Sequence, residues 1–265
     1  MSHAHIAAHI DRHAYTNALA KKSPTTKICY AFSALFLSVL SPTPIVPLIV
    51  FTVSGILILR FAKIPTHFYL HALYYLTIVT AVSSLIIALF FGYGQPLAEL
   101  VTPWFTWTIY RNGASTAIYT FARVEGATSA VYFLVLTTSM TNIFITLRKV
   151  RIPKILVEMS LLIYRYIFVF IEISAKMQTA QVLRAGTSGW IRRIRSTALL
   201  AGNLFIRTLD QGERTFTAMN ARGYDGNIRV LEDLPKPRIT ALAAIAVFDA
   251  LLVIAALLTM NFGVV

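Results

Sequence analysis

Residues 153–176 read PKILVEMSLLIYRYIFVFIEISAK, and whether they cross a membrane or lie along it decides the fold. Their middle, Leu161–Ile173, is apolar enough to span. Yet Glu158, Arg165, Glu172 and Lys176 recur along the stretch, and each is costly in hydrocarbon. Charge beyond the stretch helps decide its reading. Ten of the 24 Lys and Arg lie between residues 184 and 238. With the N-terminus inside and four earlier spans, one crossing here puts all ten on the outer face, against the bias that keeps Lys and Arg in cytoplasmic loops. The stretch therefore reads as a long amphipathic helix against the cytoplasmic face, or one dipping in and out of it.

The rest of the chain supports a membrane setting. Of 265 residues, 57% are hydrophobic and 13% charged, with a mean hydropathy of +0.67; soluble domains are nearer about 25% charged. The net charge of +13 follows the cytoplasmic-loop bias, and no basic-and-aromatic stacking surface points to nucleic acid. Apolar runs cover about Ile28–Leu40 and Ile45–Leu59, split by Ser41-Pro42-Thr43-Pro44, then about Phe68–Phe91, Ala127–Leu147 and Ile239–Met260. Between them, Gly92–Glu125 reads as irregular, with Trp104, Trp107 and Tyr110 placed as interfacial aromatics. Lys21, Lys22 and Lys27 precede the first run, but no small-residue cleavage site follows it, so the first span is expected to stay.

The expected fold is an all-α membrane protein with about five transmembrane helices, plus cytoplasmic amphipathic helices between the fourth and last spans. Four segments result: a cytoplasmic N-terminal segment (1–27), a membrane domain of four spans (28–147), a cytoplasmic or interfacial coupling domain (148–238) and a last transmembrane helix (239–265). Within the third, Thr187-Ser188 can cap a helix to about Leu209. Trp190, Ile191, Ile194, Ala198, Phe205 and Leu209 form its apolar stripe. A further helix, about Gln211–Arg222, ends at Gly223, a good C-terminal cap residue.

Catalysis is not expected. The eleven acids form no repeated carboxylate motif, and no phosphate-cradling glycine loop is present, so this chain does not hydrolyse ATP itself. The single Cys29 excludes an intramolecular disulfide and reads as a packed thiol. His3, His5, His9 and His13 could bind a transition metal but read more simply as a histidine-bearing terminus. His67 and His71, one turn apart, read as interfacial side chains. Asp249 lies inside the last apolar run, where a carboxylate is expensive unless it makes a structural contact within the bundle. Arg184 and Arg222 each follow an amphipathic helix beside small residues: Ala185-Gly186 at the first, Ala221 and Gly223 at the second. Small neighbours let another backbone approach, and arginine offers a fork to a carboxylate or carbonyl.

The string Glu213-Arg214-Thr215-Phe216-Thr217-Ala218-Met219-Asn220-Ala221-Arg222-Gly223-Tyr224-Asp225-Gly226 resembles the C-terminal signature of the T component of energy-coupling factor transporters, in its cobalt/nickel branch. His9-Ile10-Asp11-Arg12-His13-Ala14-Tyr15-Thr16-Asn17, with Pro24 and Lys27, looks like the N-terminus of that branch. Ile152-Pro153 followed by Tyr164-Arg165-Tyr166-Ile167 is similar to the start of its long coupling helix. The resemblance implies a non-catalytic scaffold in the plasma membrane, multi-pass with its N-terminus cytoplasmic. Its implied partners are two ABC-type ATPase subunits, a small membrane substrate-binding subunit and the surrounding lipid, with no nucleic acid. No cofactor belongs to this chain: ATP would bind the ATPases, and a cobalt or nickel ion would travel in the substrate-binding subunit. Two Ala-Arg-X motifs would dock one in each ATPase. Ala221-Arg222-Gly223 matches the second; at the first, Arg184 is preceded by Leu183 and followed by Ala185-Gly186. The rival readings are a self-sufficient channel or secondary transporter for a divalent metal, and a membrane enzyme.

Overall fold

The computed structural model describes residues 15, 17–92, 96–102, 105–149, 152–183, 189–226 and 235–261, with the backbone alone over 96–109. Helices dominate. The apolar run at 28–40 becomes α1 (Pro24–Leu40), which starts on proline at its first position, where the missing amide costs nothing. Ser41-Pro42-Thr43-Pro44 then turns the chain. Ser41 Oγ donates to the Thr43 carbonyl at 2.9 Å, so the prolines break the helix without orphaning the turn. α2 (Ile45–Ile56) carries Pro47 in its first turn and runs into a π-helical turn, Leu57–Phe61. α3 spans Thr66–Phe90.

The segment expected to be irregular is ordered otherwise. β1 (Pro96–Thr102) and β2 (Phe105–Tyr110) pair antiparallel, Leu100 opposite Trp107 and Thr102 opposite Phe105. The cause is visible in FTWTIY, where aromatic and β-branched residues crowd a run too short for a helix. Arg111 then opens α4 (Arg111–Thr137), sixteen residues before the apolar run reads as beginning. α4 is rich in Ala, Gly and Ser, which give no apolar signal but allow close helix contacts. The run 127–147 is also not one helix: Thr138-Ser139 interrupt it, and α5 (Met140–Lys149) follows. Trp104 lies outside the described residues.

The chain divides into two compact units. The membrane unit takes residues 10–139 and 234–265, closing with α8 (Ile239–Asn261). Its core gathers Ala31, Ala34, Val46, Val50, Ala130, Phe133 and Leu136 where α1, α2 and α4 meet. Gly126 makes a close approach to α1 and α2: a Cβ there would stand 2.5 Å from Ser38 Oγ and 2.6 Å from the Pro47 carbonyl oxygen. α3 and α8 are long and apolar enough to cross a bilayer, α4 with α5 is a third candidate as a bent pair, and α1 and α2 are shorter apolar helices. Cys29 is exposed on α1 rather than packed, because this helix turns an apolar face outward (Phe32 and Phe36 are exposed too).

The second unit holds residues 140–233 and is built on two long helices, α6 (Lys154–Leu183) and α7 (Trp190–Ala221). α6, which holds residues 153–176 almost whole, is longer than α3 and α8 but less apolar, with Glu158, Arg165, Glu172 and Lys176 along it. α7 corrects the expected pair of helices: it runs unbroken through Asp210-Gln211, since neither residue forces a stop and Gly212 has open space around it. Thr187-Ser188 lie outside the described residues, and the helix is preceded by Gly189 at φ +88°.

Candidate functional site

Arg222 sits at the tip of α7, and local backbone chemistry puts it there. The Gly223 amide donates to the Asn220 carbonyl at 3.0 Å and the Tyr224 amide to the Met219 carbonyl at 3.1 Å. Gly223 has φ +75°. This pair of bonds closing over a left-handed glycine is the Schellman motif, which satisfies the last carbonyls and stops the helix at Arg222. Ala221, Arg222 and Gly223 are all exposed. The motif also wants an apolar contact across the turn, and Met219 and Tyr224 share the lining of one groove.

The tip is anchored as well as terminated. Tyr224 donates its phenolic hydrogen to the Glu158 carboxylate near the start of α6, and partial desolvation together with that carboxylate pushes the phenol above its ordinary pKa. Glu158 is almost fully buried, with Lys154 Nζ 3.9 Å away. Sequence reading counted Glu158 only as an expensive charge, since nothing local to it announces Tyr224, sixty-six residues on. The groove between α6 and α7, about 520 Å³, is lined mainly by Met159, Ile163, Tyr166, Phe170, Phe216 and Met219.

Two polar ties brace the α6–α7 pair. Tyr166 Oη and Thr215 Oγ1 are 2.6 Å apart. Gln181 Nε2 donates to the Ser196 carbonyl at 3.0 Å, and Ser196 Oγ donates back to Gln181 Oε1 at 2.8 Å. The second tie stands on either side of the segment holding Arg184 and Ala185, which themselves lie outside the described residues. The apolar stripe expected on α7 faces outward: Trp190, Ile191, Ile194, Phe205 and Leu209 are all more than half exposed. A face of that kind marks a surface for lipid or another protein.

In the membrane unit, Ser33 Oγ donates to Asp249 Oδ1 at 3.2 Å, joining α1 to α8. Three further polar residues lie among the apolar helices, and their sequence neighbours give no hint of it. Glu125 is buried and accepts from Thr77 Oγ1 at 3.3 Å. Arg123 Nε donates to the Ser41 carbonyl at 3.0 Å, supplying a partner to the end of α1. Lys27 is buried and donates to the Thr137 carbonyl at 2.7 Å, at the end of α4. His67 and His71 stack with ring centroids 6.1 Å apart. Among the described residues no three His, Cys, Asp or Glu converge on a metal-sized site. His3, His5, His9 and His13 lie outside those residues.

A bundle of apolar helices packed through small residues and, in a second unit, a pair of long helices ending in an exposed arginine tip make this a helical membrane protein. Residues 16–232 match the family described as cobalt transport protein CbiQ, and the chain belongs to that family. It is 36% identical over 254 residues to the uncharacterised protein MJ1089 of Methanocaldococcus jannaschii, covering 96% of this chain and 94% of that one. It is 33% identical over 240 residues to a putative fused cobalt transport protein CbiMQ of Methanocorpusculum labreanum, covering 90% of this chain and 40% of that longer protein. It is 33% identical over 147 residues to the cobalt transport protein CbiQ of Rhodobacter capsulatus, covering 56% and 60% respectively.

Proposed function

We propose that this chain is the transmembrane coupling subunit of an energy-coupling factor importer for cobalt or nickel ions. It would be multi-pass in the plasma membrane, with a cytoplasmic N-terminus. Two cytoplasmic ATPases bind and hydrolyse ATP; this chain passes their motion to a small membrane subunit that carries the ion. The observation that carries the reading is the Schellman-capped Arg222 at the end of a 32-residue helix tied to a second long helix. A rigid element ending in an exposed guanidinium suits docking to a carboxylate or carbonyl on an ATPase. Arg184 is proposed as the second tip, with Ala185 beside it. The fused CbiMQ relative supports the third partner, since its name joins a CbiQ-like part to another transport protein in one chain.

In this mechanism, closure of the ATPase pair moves the two arginine tips relative to each other. The α6–α7 pair converts that displacement into motion at its exposed apolar faces, where the substrate subunit is held. Asp249 serves structure through Ser33 rather than transport.

The test is Arg222→Glu in the complete complex, with Arg214→Glu on the same helix as the charge control. Arg222→Glu should abolish cobalt uptake and ATPase co-purification while the protein remains in the membrane. Normal coupled uptake by that variant overturns the proposal. Uptake by the wild-type chain without ATPase subunits would favour the self-sufficient transporter instead.

A further inference from the structure

A second cavity, about 670 Å³, lies within the membrane unit at the start of α1. Its chemistry is one-sided. Lys21, Lys22, Lys27, Lys236 and Arg238 line it, and no lining residue is acidic. Lys27 is the informative cation. Only 6% of it is exposed, and its ammonium spends one proton on the Thr137 carbonyl, leaving two. Among the described residues it makes no ion pair, and a buried charge without a counter-ion is costly.

Two hydroxyls strengthen the case independently. Ser23 is 8% exposed and lines the cavity, yet its Oγ has no hydrogen-bond partner, and neither does Thr26 Oγ1 beside it. Ser23 is the N-cap of α1 but its side chain makes no capping bond. The first-turn amides of a helix have no internal acceptor and carry the positive end of its dipole. Two unpartnered hydroxyls and an ammonium without a counter-ion line one space at a helix start, and they ask for an oxyanion. The remaining wall is apolar, with Leu57, Phe61, Phe133 and Ile245.

We propose that this cavity binds the phosphate of an anionic phospholipid. The phosphate takes the Ser23 and Thr26 hydroxyls and Lys27; Lys236 and Arg238 add surface charge; one acyl chain lies along Phe61, Phe133 and Ile245. The apolar wall separates a lipid from a free anion, because inorganic phosphate would leave it wet. Basic pockets between membrane helices on the cytoplasmic side are a known setting for lipid headgroups.

The test uses the full-length protein in detergent, measured by native mass spectrometry and thermal unfolding. Phosphatidylglycerol, phosphatidylcholine and inorganic phosphate are added separately. Phosphatidylglycerol should be retained at one copy and raise the Tm, while the other two should do neither. Lys236→Gln/Arg238→Gln, both at exposed positions, should weaken retention on the order of tenfold. Ser23→Ala, which removes an unpartnered hydroxyl, should leave the lipid-free Tm unchanged or higher and still lose retention. Equal retention of phosphatidylcholine overturns the proposal, as does equal stabilisation by inorganic phosphate. Full retention by both variants overturns it too.

Discussion

Tyr166 is the donor and Thr215 the acceptor in the 2.6 Å bond that joins α6 to α7. The direction follows from a second bond: Thr215 Oγ1 gives its own hydrogen to the Gln211 carbonyl at 2.7 Å. The tie is thus a short relay from one helix into the backbone of the other, at the wall of the groove that ends at the Arg222 tip.

Tyr166→Phe keeps the ring and deletes the donor. The expected loss is about 0.5–1.5 kcal/mol, the net worth of one such bond. Hydrogen exchange should quicken in α7 near Thr215 while α1–α4 are unchanged. Joined with Gln181→Ala, which removes the other tie, the effect should add, the two sites being far apart along the helices. Coupled uptake should then fall further than the loss of stability alone explains.

Gly223 occupies φ +75°, where an L side chain is strained, though no atom lies within 4 Å of a Cβ built there. Gly223→Ala should therefore cost about 1–2 kcal/mol through the backbone alone. Gly223→Asn, which tolerates the left-handed region, should cost less. Limited proteolysis after Arg222 reads the difference, cleavage being fastest in the alanine variant. Equal cleavage in both would show that the Schellman turn does not hold the tip.

How much of this was legible depends on the range of the cause. Gly223 could be read as the helix end because its requirement is local, a residue without Cβ after an amphipathic run. Charge counting, which sums over the whole chain, bears on the topology of 153–176, where a local apolar scan alone reads a span. Glu125, Lys27 and Glu158 were not legible as they stand, because each finds a hydrogen-bond partner far away in sequence: Thr77, Thr137 and Tyr224. The start of α4 at Arg111 was missed for a different reason. Its Ala, Gly and Ser residues bury their surface through closeness rather than hydrophobicity, so an apolar scan passes over them.

Tyr224 gives the tip a pH dependence. Its phenol is raised above the ordinary 10.0 by desolvation and by the Glu158 carboxylate. A raised folded pKa favours the protonated form, so the contribution is complete below pH 10 and is lost as pH rises through the folded value. Hydrogen exchange at Asn220–Tyr224 should accelerate above about pH 10 in the wild type. Tyr224→Phe should be faster at neutral pH and show no such step. A step surviving in that variant would assign the transition to another group.

Gly126 is a tight point of the membrane unit, closed by backbone as well as side chain. A methyl there meets Ser38 Oγ at 2.5 Å, the Pro47 carbonyl oxygen at 2.6 Å and Pro47 Cα at 2.9 Å. Two of these are backbone atoms of α2 and cannot rotate away. Gly126→Ala should cost about 1–3 kcal/mol by overpacking and lower the Tm in detergent. Gly202→Ala on α7 is the counter-case, with open space around it. Alanine there should add about 0.5–1 kcal/mol of helix stability. Opposite signs from one chemical change would show that α1, α2 and α4 meet through small residues; a neutral Gly126→Ala would mean that α2 can move aside.

Asp249 and Ser33 join the last helix to the first, and the bond needs an acceptor at 249 rather than a charge. Asp249→Asn keeps an oxygen where Oδ1 stands, so its stability should stay within about 0.5 kcal/mol of the wild type. Asp249→Leu leaves Ser33 Oγ its other acceptor, the Tyr30 carbonyl at 3.1 Å. Its loss should therefore be near a single bond, about 1 kcal/mol, offset in part by the gain from an apolar residue facing hydrocarbon. A wild-type Tm with lost uptake in Asp249→Asn would reverse the assignment, because a purely structural acceptor leaves uptake intact when its oxygen is kept.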